Sequence, residues 1–420
     1  MDEKLAYSAK ARHPGKTKYR CGMKQQDDAE ATGEVDDLLS SVGLGHGRRK
    51  TLAESWQNGE RMTKTTRACQ KTLHGPSAAH RDEGTLSDKA AKRVEPVRAP
   101  GWLRYAWLRH GFSTRATGVS SIYGSGGGNG SLNLGWTQQD DPANVAKNRR
   151  RFMAAVAGEH AHAAATSCSG PSVPCSLLPV PSLVTLRQFH SAMLRIVESE
   201  HLAHPTRLQT ADGRAVLRGD GMMTDLPGVF LGIQTADCVP VLVADVRHRA
   251  VAAFHAGWRG TLARIVERGI GTMRLRYGSR PEDLVAAIGP SIGPCCYSVG
   301  EEVRFEFESQ FSYARELFSE IFDSDPVRDK YPLLFLTARA PGHSNIGPQI
   351  HLDLWQANRR QLLDAGIPAR RITVAGECTA CAGLGTAAGR KYFSHRAESG
   401  FTGRMMAVIG VAAYSARASR

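Results

Sequence analysis

The chain has 420 residues, 41% of them hydrophobic, nine cysteines and a formal net charge of +14. No apolar run reaches the roughly 18 residues a membrane-spanning helix needs, and the opening MDEKLAYSAKARH carries early acids without an apolar core, so neither a membrane span nor an export signal is expected. The positive charge is spread without a dense basic block or interleaved aromatics, so nucleic acid is not an expected partner, while anionic substrates stay compatible.

Residues 1–98 hold three aromatics, Tyr7, Tyr19 and Trp56, and no sustained apolar periodicity. Such a stretch buries too little apolar surface to offset its ordering entropy, so it reads as a mostly disordered, low-complexity extension ahead of a single catalytic domain over 99–415. The odd number of cysteines, without small-domain spacing, points to reduced thiols in the cytoplasm. Cys378-Thr-Ala-Cys381 is a lone CxxC; a structural zinc site wants a second pair at short spacing, so these two read as packing.

From residue 99, PGWLRYAWLRHGFSTR alternates like a strand as far as Arg115, and GSGGGNGSLNLG is a glycine-rich loop without the strand and helix that a dinucleotide fingerprint requires. DDPANVAKNRRRFMAAV predicts a helix capped by Asp140 or Asp141, with Pro142 in its first turn and Val145, Phe152 and Val156 as its apolar side. Residues 158–182, rich in Ala, Ser and Pro, read as an insertion loop. Two strand-like runs flank His190. GVFLGIQ, VPVLVAD and AVAAFHA then form three continuous apolar runs, the mark of strands covered on both faces. WRGTLARIVERGIGTMRLRYG places Leu262, Ile265, Val266, Ile270 and Met273 on one helical stripe. LVAAIGP predicts a strand, SVGEEVRFEFESQF a helix, DLWQANRRQLLDAGI a helix capped by Asp353, RITVAG a strand and MMAVIGVAAY a final buried element. The order implies a mixed α/β fold, with stacked β-sheets covered by helices and no regular βαβ beat.

His190, Cys238 and His255 each lie beside a turn at the end of an apolar strand, where rigid elements present side chains to a cleft. One thiolate and two imidazoles make a three-ligand zinc set with the fourth position open; equally, Cys238 can be a nucleophile with His255 as its base. Each residue alone would pass as core packing. Arg259, in the turn and helix after His255, is a candidate anion partner, with Arg115, Asn133 and Arg396 as weaker substrate-binding candidates. Asp237 is a candidate for orienting a ligand from behind or for capping its own turn.

The segments RQFHSA, DGMMTD, TADCVPVLVAD, AFHAGWRGT, AIGPSIGPCCYSVG, ECTAC, YFSHR and TGRMM, in this order from about Gly111 to about Val411, resemble the YfiH family, once named laccase-like polyphenol oxidases and now regarded as purine nucleoside phosphorylases. The resemblance implies a cytoplasmic enzyme with a zinc site, sometimes reported as copper. It implies phosphorolysis of adenosine, inosine and methylthioadenosine with purine nucleoside and phosphate as partners, and deamination of adenosine. The family's metal-binding and catalytic His, Cys and His fall on His190, Cys238 and His255. Phe189 stands where the family usually has Val, and 158–182 and 312–345 look like insertions. Deamination would use metal-activated water, although the HxE and PCxxC signature of other zinc deaminases is missing. A peptidoglycan-precursor editing hydrolase with Cys238 as nucleophile is also associated with the family. A copper oxidase would want paired HxH segments, and only His160 and His162 show that spacing. A basic nucleic-acid-binding protein is the non-enzymatic alternative; it would bind with steep salt dependence.

Overall fold

Strands covered on both faces must be apolar at every position, and Val239–Asp245 and Val251–Ala256 are buried throughout. They form the antiparallel centre of a six-stranded sheet in the computed structural model, which describes residues 93–124, 130–158, 182–321, 349–386 and 389–413. Residues 1–92 of the expected extension, most of the insertion 158–182, residues 322–345 of the second insertion and residues 125–129 of the glycine-rich loop lie outside the described residues. Within them the structured chain begins before residue 99, because Val94 is buried and Val97 bridges to Phe112.

In the six-stranded sheet the order is Ile372–Val374, Leu284–Ile288, Val239–Asp245, Val251–Ala256, Gly221–Thr224 and Leu194–Ile196, with antiparallel pairs in the middle and a parallel pair at each edge. A four-stranded sheet runs Leu108–Phe112, Met405–Val411, Val229–Thr235 and Ser182–Thr185. The small third sheet joins Phe318–Ile321, Gln349–Leu352 and Ser298–Val299.

Side-chain alternation along these strands defines four layers. Leu242, Ala244, Val251, Ala253 and Val285 face Leu231, Ile233, Ala407 and Ile409 of the smaller sheet, so the two sheets stack on a shared core. Val241, Val243, Ala252, Phe254 and Ala286 point the other way, onto Ile265, Val266, Ile270, Leu354 and Leu362 of the covering helices. On the outer face of the four-stranded sheet, Phe230 and Val408 receive Phe152 and Val156 of the helix Pro142–Ala157. This is the expected mixed α/β architecture of stacked sheets covered by helices.

Asp141 is the cap of that helix: its side chain accepts from Ala143 N at 2.8 Å. Asp140 instead accepts from Ser120 Oγ and Asn133 Nδ2. Asp353 caps Leu354–Asp364 by accepting from Gln356 N at 2.9 Å, as the sequence predicts. The stripe from Trp258 is not one helix: Arg264, at φ 58°, separates Trp258–Leu262 from Ile265–Tyr277. Residues 102–104 form a 3-10 turn before the strand Leu108–Phe112, which shortens the strand expected there. In the same way SVGEEVRFEFESQF divides into the short strand Ser298–Val299 and the helix Glu301–Gln310.

Glycine fixes the strand that carries His255. A Cβ on Gly269 would lie 2.2 Å from the Phe254 ring, and one on Gly221 would lie 2.8 Å from it. Phe254 is therefore held between a helix and the neighbouring strand, and His255 follows it with little freedom to shift. Among the described residues no helix is long and apolar enough to cross a membrane.

Candidate metal centre

Three elements deliver the predicted ligands. His190 lies in the connection after Ser182–Thr185, Cys238 immediately precedes Val239–Asp245, and His255 is the fifth residue of Val251–Ala256. In the antiparallel register Pro240 opposes His255 and Val239 opposes Ala256, which places Cys238 beside the histidine. One ligand atom from each of the three lies within 4.8 Å of the others, and the two imidazole rings meet edge to face at 4.9 Å.

Asp220 organises this arrangement. It is fully buried, and its carboxylate accepts from the backbone N–H of His190 at 3.0 Å, of Ser191 at 2.7 Å and of Phe189 at 3.2 Å. The same carboxylate accepts from Ser191 Oγ at 2.7 Å and pairs with His255 Nδ1 at 2.9 Å. An ionised carboxylate only accepts, so Nδ1 of His255 carries its proton toward Asp220 and Nε2 is the nitrogen that could ligate a metal. His190 adopts φ 63°, a left-handed conformation uncommon for a residue with a Cβ; the turn around Asp220 holds it there. Gln188 adds a two-point clamp, donating to Gln234 O and accepting from Gln234 N, both at 2.8 Å.

Asp237 is the mirror of this device on the cysteine side. At φ 90° it sits just before Cys238, with one carboxylate oxygen accepting from Thr379 Oγ1 at 2.6 Å and the other from Arg396 N at 2.7 Å. Both oxygens are thus committed to fixing the segments of Thr379 and Arg396 beside the cysteine. Gly257 closes the site from below: a Cβ there would stand 3.0 Å from Cys238 Sγ and 3.1 Å from His190 Cδ2.

Burial alone would push the Cys238 thiol up, but the charge of His255 and hydrogen bonds from both histidines outweigh it and bring the thiol down to about 6. Burial would likewise depress His255; the Cys238 thiolate and the hydrogen bond to Asp220 prevail and raise it to about 9. Desolvation opposes ionisation of Asp220 too, yet its bonds from His255 and Ser191 hold it near 2. Without a metal, the site is a thiolate and imidazolium pair above a fixed carboxylate. Two imidazole nitrogens and one thiolate fit the donor chemistry of a zinc-type ion, which these three residues would hold.

That cavity measures about 550 Å³ and is lined by all three residues together with Gln188, Tyr297, His395, Arg396 and Arg404. Of the other predicted residues, Arg396 reaches the wall, its Nη1 bonded to Ser298 O and Oγ at 2.8 Å. Arg115 is buried elsewhere, paired with Glu398 at 2.9 Å and donating to the carbonyls of Tyr123 and Gly124. Asn133 is fully buried and holds Gly135, Asp140 and the Arg404 backbone. Arg259 is exposed, stacks on Trp258 at 4.3 Å, and does not line the cavity; its five-residue helix offers no extended N-terminus.

Sequence reading passed over Asp220, His395 and Arg404, though each lies in one of the quoted segments or next to it: DGMMTD opens with Asp220, YFSHR ends on His395 and Arg396, and TGRMM contains Arg404. It also took Cys378 and Cys381 as packing, whereas the fold brings Cys295 and Cys296 to them.

A family model described as multi-copper polyphenol oxidoreductase laccase matches residues 109–170 and 174–412. The chain belongs to this family. Its relatives include a protein of Geobacillus stearothermophilus named purine nucleoside phosphorylase YlmD, 32% identical over 310 residues, with 72% of this chain and 94% of the relative covered. A Deinococcus radiodurans protein named purine nucleoside phosphorylase is 32% identical, covering 72% and 88%. A third relative, from an unknown prokaryotic organism and named adenosine deaminase RL5, is 34% identical over 47% of this chain and 66% of its own. The crystal structure of YlmD from Geobacillus stearothermophilus superposes with a TM-score of 0.54 at 28% identity, covering 76% of this chain and 99% of its own. YfiH of Bacillus licheniformis gives the same score and identity over 73% and 94%. This laccase-named family member thus shares the YfiH and YlmD fold.

Proposed function

We propose that this family member is a cytoplasmic purine nucleoside phosphorylase acting on adenosine, inosine and methylthioadenosine, with adenosine deaminase activity, and that His190, Cys238 and His255 hold its zinc, copper being the alternative ion. The observation that carries the reading is the meeting of these three residues, within 4.8 Å, on the wall of a cavity whose volume suits a small molecule, a range of about 300–1,000 Å³. The names of the relatives supply the substrate class.

A zinc ion in this ligand set supplies Lewis acidity. The chain's own residues do the rest. Asp220 fixes the tautomer and direction of His255 and the path of the His190 backbone. The lowered Cys238 thiol favours the thiolate that binds a cation, and the proton released on binding comes from His255, whose imidazolium that thiolate stabilises. In phosphorolysis a phosphate oxygen bonds to the anomeric carbon while the glycosidic bond to the purine breaks. Arg396 and Arg404 line the cavity and serve in this reading as the phosphate partners.

Multi-copper oxidase chemistry has less support. Among the described residues, the groups of three or more metal-capable side chains are this site and a cluster of four cysteines, with no histidine-rich centre beside them. His160 and His162 lie outside the described residues. The lowered Cys238 thiol does suit a nucleophile, which makes a Cys-dependent hydrolase of peptidoglycan precursors the second reading. Incubating the metal-loaded protein with inosine, with and without phosphate, separates the two: ribose 1-phosphate formed only when phosphate is present supports phosphorolysis, and no turnover of any purine nucleoside overturns it.

A further inference from the structure

The strands Leu284–Ile288 and Ile372–Val374 are parallel neighbours, so the loops that follow them leave the sheet at the same end. Ser291 and Cys378 continue the pairing as an isolated bridge, with Thr379 N donating to Ser291 O at 3.0 Å. One loop then turns tightly at 293–296, where the N–H groups of Cys296 and Tyr297 both donate to Gly293 O at 3.0 Å. This turn carries Cys295 and Cys296; the other loop carries Cys378 and Cys381.

The four sulfurs lie within 4.8 Å of one another. Cys295 Sγ and Cys381 Sγ are 3.7 Å apart, far beyond the roughly 2.05 Å of a disulfide. A tetrahedral ion with metal–sulfur bonds of about 2.3 Å requires sulfur–sulfur edges of about 3.8 Å. The Gly293 N–H donates to Cys378 Sγ at 3.2 Å, a backbone bond of the kind that steadies a thiolate ligand. Ile292 and Ala380 form an apolar cluster with Cys378, against which Cys296 and Cys381 pack.

We propose that Cys295, Cys296, Cys378 and Cys381 form a second metal site, a tetrathiolate that binds one soft divalent cation of the zinc type and staples the two loops together. Closed sets of four sulfurs are structural, since no position remains for substrate. The staple reaches the cavity by short paths: Thr379, next to Cys378, donates to Asp237 Oδ1, and Ile292 N donates to Asp237 O at 2.8 Å. Ile292 and Tyr297, on the cysteine-bearing loop, line the cavity wall. The assignment stands whatever reaction the neighbouring site performs.

Metal analysis of the full chain, purified anaerobically from zinc-supplemented cells, tests it. About two zinc ions per chain are expected, with one lost in a Cys295→Ser/Cys381→Ser variant and the other lost in a His190→Ala/Cys238→Ser variant. Because the first variant bears on folding, the second is also loaded with cobalt: an intense sulfur-to-cobalt charge-transfer spectrum typical of four thiolates is expected to persist in it. Overturning results are a wild-type protein with one zinc that the His190→Ala/Cys238→Ser variant loses entirely, absence of that cobalt spectrum, or a Cys295–Cys381 disulfide detected by mass spectrometry in the anaerobic protein.

Discussion

Asp220 holds both histidines of the site through one carboxylate, pairing with Nδ1 of His255 at 2.9 Å and accepting from the backbone N–H of His190 at 3.0 Å. Replacing it with Asn keeps the volume and removes the charge and one of the acceptor oxygens. Metal affinity of the Asp220→Asn protein is expected to fall about 10- to 100-fold, the usual consequence of losing a ligand's supporting carboxylate. Competition against a chromophoric chelator measures it; an unchanged affinity with an unchanged circular dichroism spectrum would show that the carboxylate does not position the site.

Gly257 touches the ligands without being one. The extra methyl of Gly257→Ala would stand 3.0 Å from Cys238 Sγ and 3.1 Å from His190 Cδ2, closer than ordinary van der Waals contact, so one of the two side chains must move aside. We expect zinc affinity to drop about tenfold, worth about 1.4 kcal/mol, while thermal unfolding of the metal-free protein stays within about 1 kcal/mol of wild type. Equal losses in both measurements would mean general misfolding and not a displaced ligand.

The thiol of Cys238 titrates near 6 because the adjacent imidazolium and its hydrogen bonds outweigh burial. Thiolate forms as pH rises through that value, so alkylation of Cys238 by iodoacetamide in the metal-stripped protein should climb to a plateau with a midpoint near 6, read site by site by mass spectrometry. A midpoint near the ordinary value of about 8.5 would remove the thiolate and imidazolium pair from the description.

Much of the site was legible because its residues end strands whose unbroken apolar runs admit one interpretation, burial on both faces; Val239–Asp245 and Val251–Ala256 are examples. Roles that depend on distant contacts were not legible. Asp220 looks like any polar residue opening a strand until the His190 turn folds over it. The four cysteines meet across 86 positions of sequence, through a parallel strand pair that local spacing does not announce. Arg115 and Asn133 carry the right chemistry for a substrate, but burial commits them to partners inside the protein. The break at Arg264 was hidden because the apolar stripe continues through it without Gly or Pro.

His110 supplies a pH dependence of stability away from the site. Burial and the nearby Arg98 lower it to about 4, and its Nε2 accepts from Ala99 N at 2.9 Å, which requires the neutral ring. The unfolded chain takes up this proton near 6.5 and the folded chain only near 4, so the stabilisation is complete above about pH 6.5 and declines as pH falls toward 4. The loss amounts to about 3 kcal/mol. Urea unfolding of wild type and His110→Gln between pH 7 and about 4 should give a shallower decline for the variant; parallel curves would assign the acid sensitivity to other groups.

The most direct test of the central claim, that His190, Cys238 and His255 act as one metal-holding catalytic unit, is the rate of inosine phosphorolysis by Cys238→Ala set beside wild type, with circular dichroism confirming the fold. Loss of ribose 1-phosphate formation to background in the folded variant is the predicted result. Turnover retained at a rate near wild type would contradict it.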